Sequence, residues 1–295
     1  MKTCLVTGAT GLIGSEFLKL LHADEWTTCA LTRKPVKFPL ADAKAIVCDL
    51  SREWNRDNFP KKTDVVIHLA QSGRFRDFPN GAEDLFNVNT RSTASLLDYA
   101  YRAKANTFIL ASSGGIYSND GKLLTENSEL IADGKSGFYA GTKFCSEIIA
   151  DNYTEYMNVI ILRFFFVYGP SQNRGMLMPR LIDSVKNGKP INLNGPDGIS
   201  VNPTYVSDAA DALFAAMSLK GSDKINVAGP EALTMRQIGE TIGEIMGKKP
   251  IFEMHKESGP SSLIGDINKM GRLLVKPKVL LRDGLKIMLG ENEKK

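Results

Sequence analysis

The sequence predicts an α/β protein with a doubly wound parallel sheet and a smaller α/β region towards the C-terminus. Short apolar or β-branched runs alternate with amphipathic stretches through the first 165 residues, which is the pattern of βαβ units. A turn with three glycines, Thr7–Gly14, joins the first run to the first amphipathic stretch. Of the 295 residues, 43% are hydrophobic and 24% are charged, so there is enough apolar material for a globular core.

Six runs have the length and composition of buried strands, and three stretches between them have helical periodicity. The predicted strands are Cys4–Thr7, Thr27–Leu31, Ala45–Cys48, Asp64–Leu69, Thr107–Ala111 and Val159–Leu162. The predicted crossover helices are Leu12–Leu21, about Glu83–Arg102 and about Phe138–Tyr156. Parallel strands need such crossovers, so these elements together predict one sheet covered on both faces.

The pattern changes after Tyr168-Gly169-Pro170, where glycine and proline interrupt the chain. A glycine- and asparagine-rich segment, Asn187–Asn202, follows. The later predicted elements are a helix over Val206–Leu219, a strand over Lys224–Val227, and helices over Thr234–Met246 and Lys278–Leu289. Thr234 is the predicted N-cap of its helix, and Gly247 lies just past the end.

Charge and cysteine content argue against several classes of protein. The chain has 37 basic and 33 acidic residues, and a net charge of +4 predicts neither a nucleic-acid nor a membrane partner. Four dispersed cysteines and three histidines predict no disulfide framework and no metal site, so a reducing cytoplasm is the simpler expectation. No run approaches the roughly 18 apolar residues of a membrane-spanning helix, and with a glycine motif already at Gly8 we expect no cleavable signal.

The glycine turn stands between a predicted strand and a predicted helix, which is where a dinucleotide pyrophosphate binds. A tight turn, a close backbone approach to phosphate and close packing of helix on strand each require the missing Cβ, and the helix N-terminus attracts the phosphates. The alternative is a structural turn without a ligand. The predicted cofactor contacts here are Gly8, Gly11, Leu12, Ile13 and Gly14.

Arg33 and Lys34 follow the second predicted strand, at the position where many NAD sites place an acidic residue for the ribose 2′-hydroxyl. A guanidinium beside an ammonium suits a 2′-phosphate instead, because arginine binds phosphate through a planar, bidentate fork. We therefore expect NADP rather than NAD as the main cofactor. The alternative is a solvated basic turn.

Tyr139 and Lys143 lie at i and i+4 near the start of a predicted helix, so they share one helix face. A neighbouring ammonium favours phenolate and thus moves tyrosine towards acid/base chemistry at neutral pH. Ser113 lies at the end of the fifth predicted strand, on the edge where parallel sheets bind ligands. A serine hydroxyl there can donate a hydrogen bond to a substrate oxygen beside the tyrosine.

On these residues the chain resembles an extended short-chain dehydrogenase/reductase of the NAD-dependent epimerase/dehydratase family, with a Rossmann-like fold. The likeness covers almost the whole length. Further matching motifs are Asp49-Leu50, His68-Leu69-Ala70, Asn87-Val88-Asn89, Leu162-Arg163-Phe164-Phe165, Val167-Tyr168-Gly169-Pro170, Tyr205-Val206-Ser207-Asp208 and Asn226-Val227-Ala228-Gly229.

The resemblance implies a role for each matching position. Ser113 orients and polarises the reacting carbonyl or carbinol, Tyr139 is the general acid/base, and Lys143 holds the nicotinamide ribose and tunes the tyrosine. The other implied cofactor contacts are Asp49 and Leu50 on the adenine side, Leu69, Ala70, Gln71 and Asn87 along the ribose and phosphates, and Phe165 beside the nicotinamide. Hydride then passes between nicotinamide C4 and a carbon held by Ser113 and Tyr139.

The sequence departs from the family pattern mainly at substrate positions. Gly114 and Gly115 replace the acid pair of the dehydratases, which leaves epimerisation or carbonyl reduction. Phe166 replaces an asparagine and Val201-Asn202 replaces an Arg-Asp pair, so polar contacts to a sugar nucleotide's diphosphate are lost. No arginine stands between Phe252 and Asp266, and Arg174 and Arg180 are the candidates to take over. The candidate substrate contacts are Gly114, Phe166, Arg174 and Arg180.

These assignments predict a dinucleotide-binding Rossmann domain over residues 1–168, to which 202–230 returns. The smaller substrate-binding domain then consists of 169–201 and 231–295. The leading functional hypothesis is an NAD(P)-dependent epimerase or carbonyl reductase of a sugar nucleotide. The alternatives are an NADP-dependent reductase of a small non-nucleotide carbonyl, and a catalytically silent NADP-binding sensor or scaffold.

The resemblance also implies an oligomeric state. Family members commonly pair the helices that correspond to Glu83–Arg102 and Phe138–Tyr156 into a four-helix bundle. We therefore expect a homodimer.

Overall fold

The computed structural model describes residues 1–38, 43–118, 121–131, 137–256 and 262–290. The strands are β1 (Lys2–Thr7), β2 (Trp26–Thr32), β3 (Ala43–Val47), β4 (Val65–His68), β5 (Thr107–Ser113), β6 (Asn158–Phe164), β7 (Pro190–Asn194), β8 (Ser200–Val201), β9 (Asp223–Val227), β10 (Leu233–Thr234), β11 (Ile251–His255) and β12 (Ser262–Leu263). The helices are α1 (Leu12–Leu18), α2 (Ala82–Leu85), α3 (Ser92–Arg102), α4 (Gly137–Asp151), α5 (Leu177–Lys186), α6 (Val206–Ala216), α7 (Met235–Met246), α8 (Asn268–Leu273) and α9 (Leu281–Met288).

Seven strands form the central sheet in the order β3-β2-β1-β4-β5-β6-β9. The β1–β2, β1–β4, β2–β3 and β4–β5 pairings are all parallel, and Leu5 of β1 lies between Cys29 of β2 and Val66 of β4. The chain winds outward from β1 to β3 and then resumes on the other side of β1. The strand order therefore reverses between β1 and β4, where doubly wound sheets bind ligands, and the predicted fold class is confirmed.

The inner strands are apolar because both of their faces are covered. Every residue of β4 is buried, which explains its uninterrupted Val-Val-Ile run. Leu5 and Val66 of the sheet share one hydrophobic cluster with Leu96 and Leu97 of α3. Full burial of each such side chain contributes on the order of 1.5 to 3 kcal/mol. This cluster fixes α3 against the sheet.

The second crossover differs from the single helix that its periodicity predicts. A π-helical segment, Phe86–Arg91, separates α2 from α3. The hydroxyls of Ser92 and Thr93 donate to the carbonyls of Val88 and Asn89 four residues earlier, so side chains share in satisfying the altered backbone. One extra residue in a helical turn does not disturb the apolar pattern enough to be visible in the sequence.

The described chain forms two compact units. The first consists of Met1–Ile116, Leu130–Arg163 and Ala210–Ile225, and the second consists of Tyr117–Glu129, Phe164–Ala209 and Asn226–Lys295. The second unit has a three-stranded sheet, β10-β8-β12, and a parallel pair, β11-β7. None of the described helices is long and apolar enough to cross a membrane.

The second unit contains both confirmed and missed elements. The predicted cap of α7 is present, because Thr234 Oγ1 accepts the Gln237 N–H at 3.1 Å and Gln237 Oε1 accepts the Thr234 N–H at 2.9 Å. Gly247 ends the helix in the left-handed conformation, with φ of 61°. By contrast, β7 lies inside the segment that the sequence marks as irregular, although its Ile191 and Leu193 alternate inward as in any half-buried strand.

A buried hydrogen-bond network joins the carboxyl ends of β1 and β4. Thr7 Oγ1 lies 2.7 Å from His68 Nδ1, and Ser92 Oγ lies 3.0 Å from His68 Nε2. Thr7 Oγ1 also accepts the Ala70 N–H at 3.1 Å, and Ser92 Oγ donates to the Val88 carbonyl. A neutral imidazole with its proton on Nε2 therefore satisfies every member of the network. Burial lowers the pKa of His68 to about 3, and the charge of Lys143 adds to this effect.

The His68 network predicts a stability that decreases in mild acid. The pKa of His68 is about 3 in the folded chain against an ordinary value of 6.5, so the unfolded chain takes up the proton first as the pH falls. We expect this residue to lower the free energy of unfolding by about 2 kcal/mol between pH 7 and pH 5. A His68→Gln variant should lack this component when urea unfolding is measured at each pH.

His22→Gln is the matched control, because His22 is an exposed histidine of the same unit. It should leave the pH dependence unchanged. Equal pH slopes for the wild type and His68→Gln would show that His68 does not remain neutral in the folded chain.

Candidate active site

The glycine turn after β1 has the shape of a phosphate cradle. Gly8 has φ of 69°, and a Cβ there would lie 2.7 Å from the Ala70 amide nitrogen. A Cβ on Gly14 would collide with the Gly8 carbonyl, so these two glycines allow the turn to pack on β4 and α1. At Gly11, an added Cβ would contact the Gly8 carbonyl at 3.1 Å and otherwise face open space among the described residues.

Gly11 is also the N-cap of α1 and supplies no side chain to the first-turn amides. The amides of Leu12 and Ile13 follow it, and both residues are half-buried. Gly8 and Gly14 are needed for packing within the protein, whereas the space beside Gly11 is largely open. A ligand can therefore approach the backbone at Gly11. These residues fit a dinucleotide pyrophosphate.

Asp49 and Asn87 meet at Ser51, beyond the end of β3. Asp49 Oδ1 accepts the Ser51 N–H at 3.0 Å and the Ser51 hydroxyl at 2.7 Å, and Asn87 Nδ2 donates to the Ser51 carbonyl at 3.0 Å. The hydrogen bond from the Ser51 hydroxyl is the main cause that holds the pKa of Asp49 below its ordinary value, and the cations of Arg52 and Arg33 contribute. The structure therefore brings these sequence-predicted residues together at one end of the candidate site.

The remaining predicted cofactor residues of the first unit differ in exposure. Arg33 and Lys34 are exposed after β2. Leu69 and Ala70 are half-buried after β4, at the point where the glycine turn approaches most closely. Leu50 is buried in the hydrophobic cluster, so its side chain packs in the core and only its backbone is available to a ligand.

Tyr139 lies in the first turn of α4 and its hydroxyl has two side-chain partners. The hydroxyl donates to Gln71 Oε1 at 3.0 Å and forms a hydrogen bond with Ser113. Burial raises the pKa of Tyr139 to about 12, and the bond with Ser113 opposes this change. Ser113 Oγ also accepts the Gly115 N–H at 3.1 Å. The sequence-predicted Ser113 and Tyr139 are therefore adjacent, as a shared substrate oxygen requires.

Lys143 does not lower the pKa of Tyr139 in the way the sequence argument expects. Its side chain is 3% exposed, and its Nζ donates to the Ala111 carbonyl at 2.8 Å. Burial lowers the pKa of Lys143 to about 8, while the charge of Glu147 raises it. Desolvation is the main influence on both pKa values, and the hydrogen bond with Ser113, rather than the charge of Lys143, is what lowers the pKa of Tyr139.

Asn89 of the π-helical segment links this site to α4. Its Oδ1 accepts the Ser72 N–H at 3.2 Å, and its Nδ2 donates to Thr142 Oγ1 at 3.0 Å. Its carbonyl accepts the Ser146 hydroxyl at 2.8 Å. These bonds place the helix that contains Tyr139 relative to the loop after β4, so the π-helical segment helps to position Tyr139.

The structure also shows polar and aromatic residues that sequence reasoning missed. The resemblance assigns Gln71 to the cofactor, and the contact that it misses is the hydrogen bond that the Gln71 side chain accepts from the Tyr139 hydroxyl. Ser112 Oγ is buried and has no hydrogen-bond partner among the described residues, so it is available to a ligand beside Ser113. The Phe75 ring lies 5.7 Å from the Tyr139 ring. Aromatic residues in the polar loop after β4 were the signal that could have indicated this last contact.

The remaining candidate contacts divide between the units. Gly114 is buried in a 3-10 turn, Gly114–Ile116, of the first unit. Phe165 belongs to the second unit, where it is 1% exposed and stacks on Tyr117 with ring centroids 6.2 Å apart. Its contact with a nicotinamide stays a prediction. Phe166, also in the second unit, has φ of 43°, a left-handed conformation that an aromatic residue rarely adopts.

The two arginine candidates both lie in the second unit. Arg174 Nε donates to Asp183 Oδ2 at 3.1 Å, so a carboxylate already neutralises this guanidinium. Arg180 is exposed on α5. Of the two, Arg180 is the more available to an anionic ligand.

Comparison with known proteins places the chain in a family. Residues 4–228 match the NAD dependent epimerase/dehydratase family. An uncharacterized UDP-glucose epimerase of Bacillus subtilis (strain 168) is 27% identical over 302 residues, which cover 95% of each chain. The solved structure of MoeE5 in complex with UDP-glucuronic acid and NAD is 25% identical, with a TM-score of 0.85 and 99% of each chain covered.

A further solved structure is UDP-glucuronic acid 4-epimerase from Bacillus cereus in complex with UDP-glucuronic acid and NAD. It is 26% identical to this chain, with a TM-score of 0.84 and 97% of each chain covered. The family match spans most of the chain and includes the glycine turn, Ser113, Tyr139 and Lys143. This chain therefore belongs to the NAD dependent epimerase/dehydratase family, which confirms the resemblance of its motifs.

Proposed function

We propose that this chain is a nicotinamide-dependent epimerase that inverts a ring carbinol of a UDP-sugar, with Tyr139 as the acid/base. The observation that carries the proposal is the cluster of Ser113, Tyr139 and Lys143 at the carboxyl edge of the sheet. Two similar structures were solved with UDP-glucuronic acid and NAD, and a 4-epimerase is among them. A UDP-hexuronate or UDP-hexose altered at C4 is therefore the substrate class that we propose.

A bound nicotinamide would supply the oxidation of the carbinol carbon and the reverse reduction. The chain's own residues then handle the proton and the orientation. Ser113 donates a hydrogen bond to the reacting oxygen, and Tyr139 takes the hydroxyl proton during oxidation and returns it during reduction. Tyr139 can take this proton only as phenolate. Because burial raises the pKa of Tyr139 to about 12, we propose that positive charge in the cofactor-loaded site lowers this pKa, with Lys143, one helical turn away, as one source.

The acid/base assignment predicts that Tyr139→Phe lowers kcat for the C4 epimerisation of UDP-glucuronate or UDP-glucose at least about 1,000-fold. The variant keeps the ring contacts of Tyr139 and loses only the hydroxyl, so NADH affinity should change less than about threefold. Product formation by NMR and cofactor fluorescence measure the two effects. Tyr153→Phe is the matched control on an aromatic residue just beyond α4, and it should retain activity.

Full activity of Tyr139→Phe would contradict the proposed mechanism. If the wild type turns over neither sugar nucleotide and no carbonyl substrate oxidises NADH or NADPH, the silent sensor or scaffold is supported instead.

A reductase of a small non-nucleotide carbonyl is the second candidate, and Phe166 is the observation that favours it. This residue replaces an asparagine that the resemblance assigns to diphosphate binding, and it holds a left-handed backbone conformation. The two candidates differ in their affinity for UDP. An epimerase of UDP-sugars should be stabilised by UDP in a thermal unfolding experiment, whereas the small-carbonyl reductase should not respond.

We propose NAD as the principal cofactor. Both similar structures named above hold NAD. Arg33 and Lys34 would attract a 2′-phosphate, which is the basis of the sequence-predicted preference for NADP. Asp49, however, lies within electrostatic reach of Arg33 and has a low pKa, so a carboxylate shares this end of the site and opposes a second phosphate.

The wild type should accordingly bind NADH at least as tightly as NADPH in fluorescence titrations. Asp49→Asn should tighten NADPH binding about tenfold, because the opposing charge is removed while the hydrogen-bonding shape remains. Arg33→Ala should weaken NADPH binding by a similar factor and change NADH binding less than about threefold. Arg52→Ala, which removes another cation near Asp49, is the control. If the wild type binds NADPH more tightly than NADH, the proposal of NAD is wrong and NADP is the principal cofactor.

The predicted domain roles remain part of the proposal. All cofactor contacts named above, apart from Phe165, lie in the first compact unit, which supports a dinucleotide-binding role for it. Arg180 and Phe166 lie in the second unit, which is the proposed source of substrate contacts. The four cysteines are free thiols, which suits the expected reducing cytoplasm.

We propose a homodimer that buries the outer faces of α3 and α4. Large apolar side chains are exposed on and around these helices: Phe86 at 49%, Tyr101 at 45%, Ile148 at 49% and Tyr156 at 63%. Such a concentration on neighbouring elements is typical of a protein interface. An isologous pairing of the two helices would cover it.

The dimer predicts that Ile148→Lys weakens self-association about 100-fold or more, because it places an ammonium among the apolar side chains of the proposed interface. Ile251→Lys is the control, since Ile251 on β11 is 50% exposed and lies in the second unit. Sedimentation velocity of the two variants and the wild type measures the effect. A monomeric wild type, or a dimer that Ile148→Lys leaves intact, would contradict this interface.

A further inference from the structure

A fully buried ion pair lies one helical turn beyond Lys143. Arg163 Nε donates to Glu147 Oε1 at 3.1 Å, and Arg163 Nη2 donates to Glu147 Oε2 at 2.7 Å. Both side chains are 1% exposed. A pair this deeply buried carries a desolvation cost that its own attraction barely offsets, so its contribution to stability does not explain its presence. Its position relative to Lys143 offers a different explanation.

Three charges are buried together in the first unit. Lys143 and Glu147 are at i and i+4 on α4, so they lie on the same helix face, and Arg163 comes from β6. The Lys143 ammonium has one neutral partner, the Ala111 carbonyl at 2.8 Å. An ammonium that is 3% exposed is unfavourable unless a negative charge lies nearby, and Glu147 supplies that charge.

We propose that Glu147, anchored by Arg163, is a positioning residue that keeps Lys143 in its ammonium form at the candidate active site. Arg163 suits the anchoring role because its guanidinium stays charged at any working pH and fits a carboxylate through two parallel bonds. Without Arg163, Glu147 would lose the two hydrogen bonds that hold its carboxylate in place. The inference rests on the proposed function in that it takes Lys143 as the cation of the site.

The other groups around Lys143 do not supply the same charge. His68 faces it from β4 and is neutral, and Tyr139 on its own helix is neutral as well. β5 and the 3-10 turn contain no titratable side chain. The charged residues on the remaining elements that pack on α4 are Glu83 and Asp84 on α2, Arg91 in the π-helical segment, and Asp98 and Arg102 on α3.

These charged residues have partners elsewhere or are exposed. Asp84 accepts the Ser72 hydroxyl, and Arg91 donates to the Arg52 carbonyl. Asp98 pairs with Arg102 and Arg56, and Glu83 is exposed. Glu147 is therefore the carboxylate best placed to compensate Lys143. The influences on the pKa of Lys143 agree with this assignment: burial lowers the pKa, and the charge of Glu147 raises it.

The test is the titration of Lys143 in the unliganded protein. Lysine is labelled with ¹³C at Cε, the Lys143 resonance is assigned by its loss in Lys143→Arg, and its shift is followed from pH 6 to pH 11. Glu147→Gln should lower the pKa of Lys143 by about one to two units, because the carboxylate charge that raises this pKa is removed while the side-chain shape is retained. Glu147→Asp, which keeps the carboxylate, should remain near the wild-type value.

Asp151→Asn is the matched control. Asp151 lies on the same helix and pairs with Lys224 at the surface, so the same change of charge in solvent should move Lys143 by less than about 0.3 units. In the active protein, the alkaline limb of kcat/KM should move to lower pH with Glu147→Gln by the same amount as the NMR titration.

Glu147→Gln leaves Arg163 buried without its carboxylate and could unfold the chain, so a second variant is needed. Glu147→Met with Arg163→Met removes both charges and fills the space with apolar atoms, a replacement that buried pairs often tolerate. It should also lower the pKa of Lys143, by less than Glu147→Gln because a nearby cation is lost at the same time.

An unchanged Lys143 titration in a folded Glu147→Gln or Met/Met variant would overturn the inference and leave the pair a packing feature. The NMR titration needs neither cofactor nor substrate. Failure of the wild type to convert any UDP-sugar would therefore overturn the proposed function without affecting this test.

Discussion

The ammonium of Lys143 is buried at the carboxyl edge of the sheet, and the surrounding structure has to compensate a charge removed from water. The Ala111 carbonyl accepts one hydrogen bond, Glu147 supplies a counter-charge, and Arg163 from β6 holds that carboxylate in place. His68 is also buried, and it avoids the cost of a charge by remaining neutral. Its hydrogen-bond network is satisfied without a second ring proton. The core of the first unit thus combines apolar packing with buried charged and polar side chains that bind one another, as burial of charge demands.

The candidate site depends on three connections at that edge. The glycine turn packs on the end of β4, the π-helical segment links to α4 through Asn89, and Gln71 and Ser113 both contact the Tyr139 hydroxyl. Each connection joins elements that are far apart in the chain. Together they hold the proposed acid/base residue, a hydroxyl group and a cation in one place, and they leave Gly11 open to a phosphate.

Local requirements made much of this arrangement predictable. Glycines at fixed spacing between a strand and a helix indicate a phosphate turn because only they permit its backbone. An i, i+4 pair on a helix shares a face whatever the fold, so Tyr139 and Lys143 could be paired from spacing alone. The two-residue strands of the second unit are too short to show alternation, and Pro190–Asn194 was missed because it lies in a glycine- and asparagine-rich segment that marks irregular structure. The π-helical segment was missed because it preserves the apolar pattern of an ordinary helix.

Sequence patterns therefore determined the fold class and the family and predicted the principal candidate residues, all of which depend on chain-local spacing. The protonation states did not follow from spacing. Lys143 was expected to lower the pKa of Tyr139, yet burial raises it to about 12, because desolvation depends on everything that surrounds the phenol. The hydrogen-bond and ion-pair partners of these groups did not follow from spacing either. Glu147 finds Arg163 and Tyr139 finds Gln71 through contacts 16 and 68 residues apart in the chain, and only the folded sheet brings such pairs together.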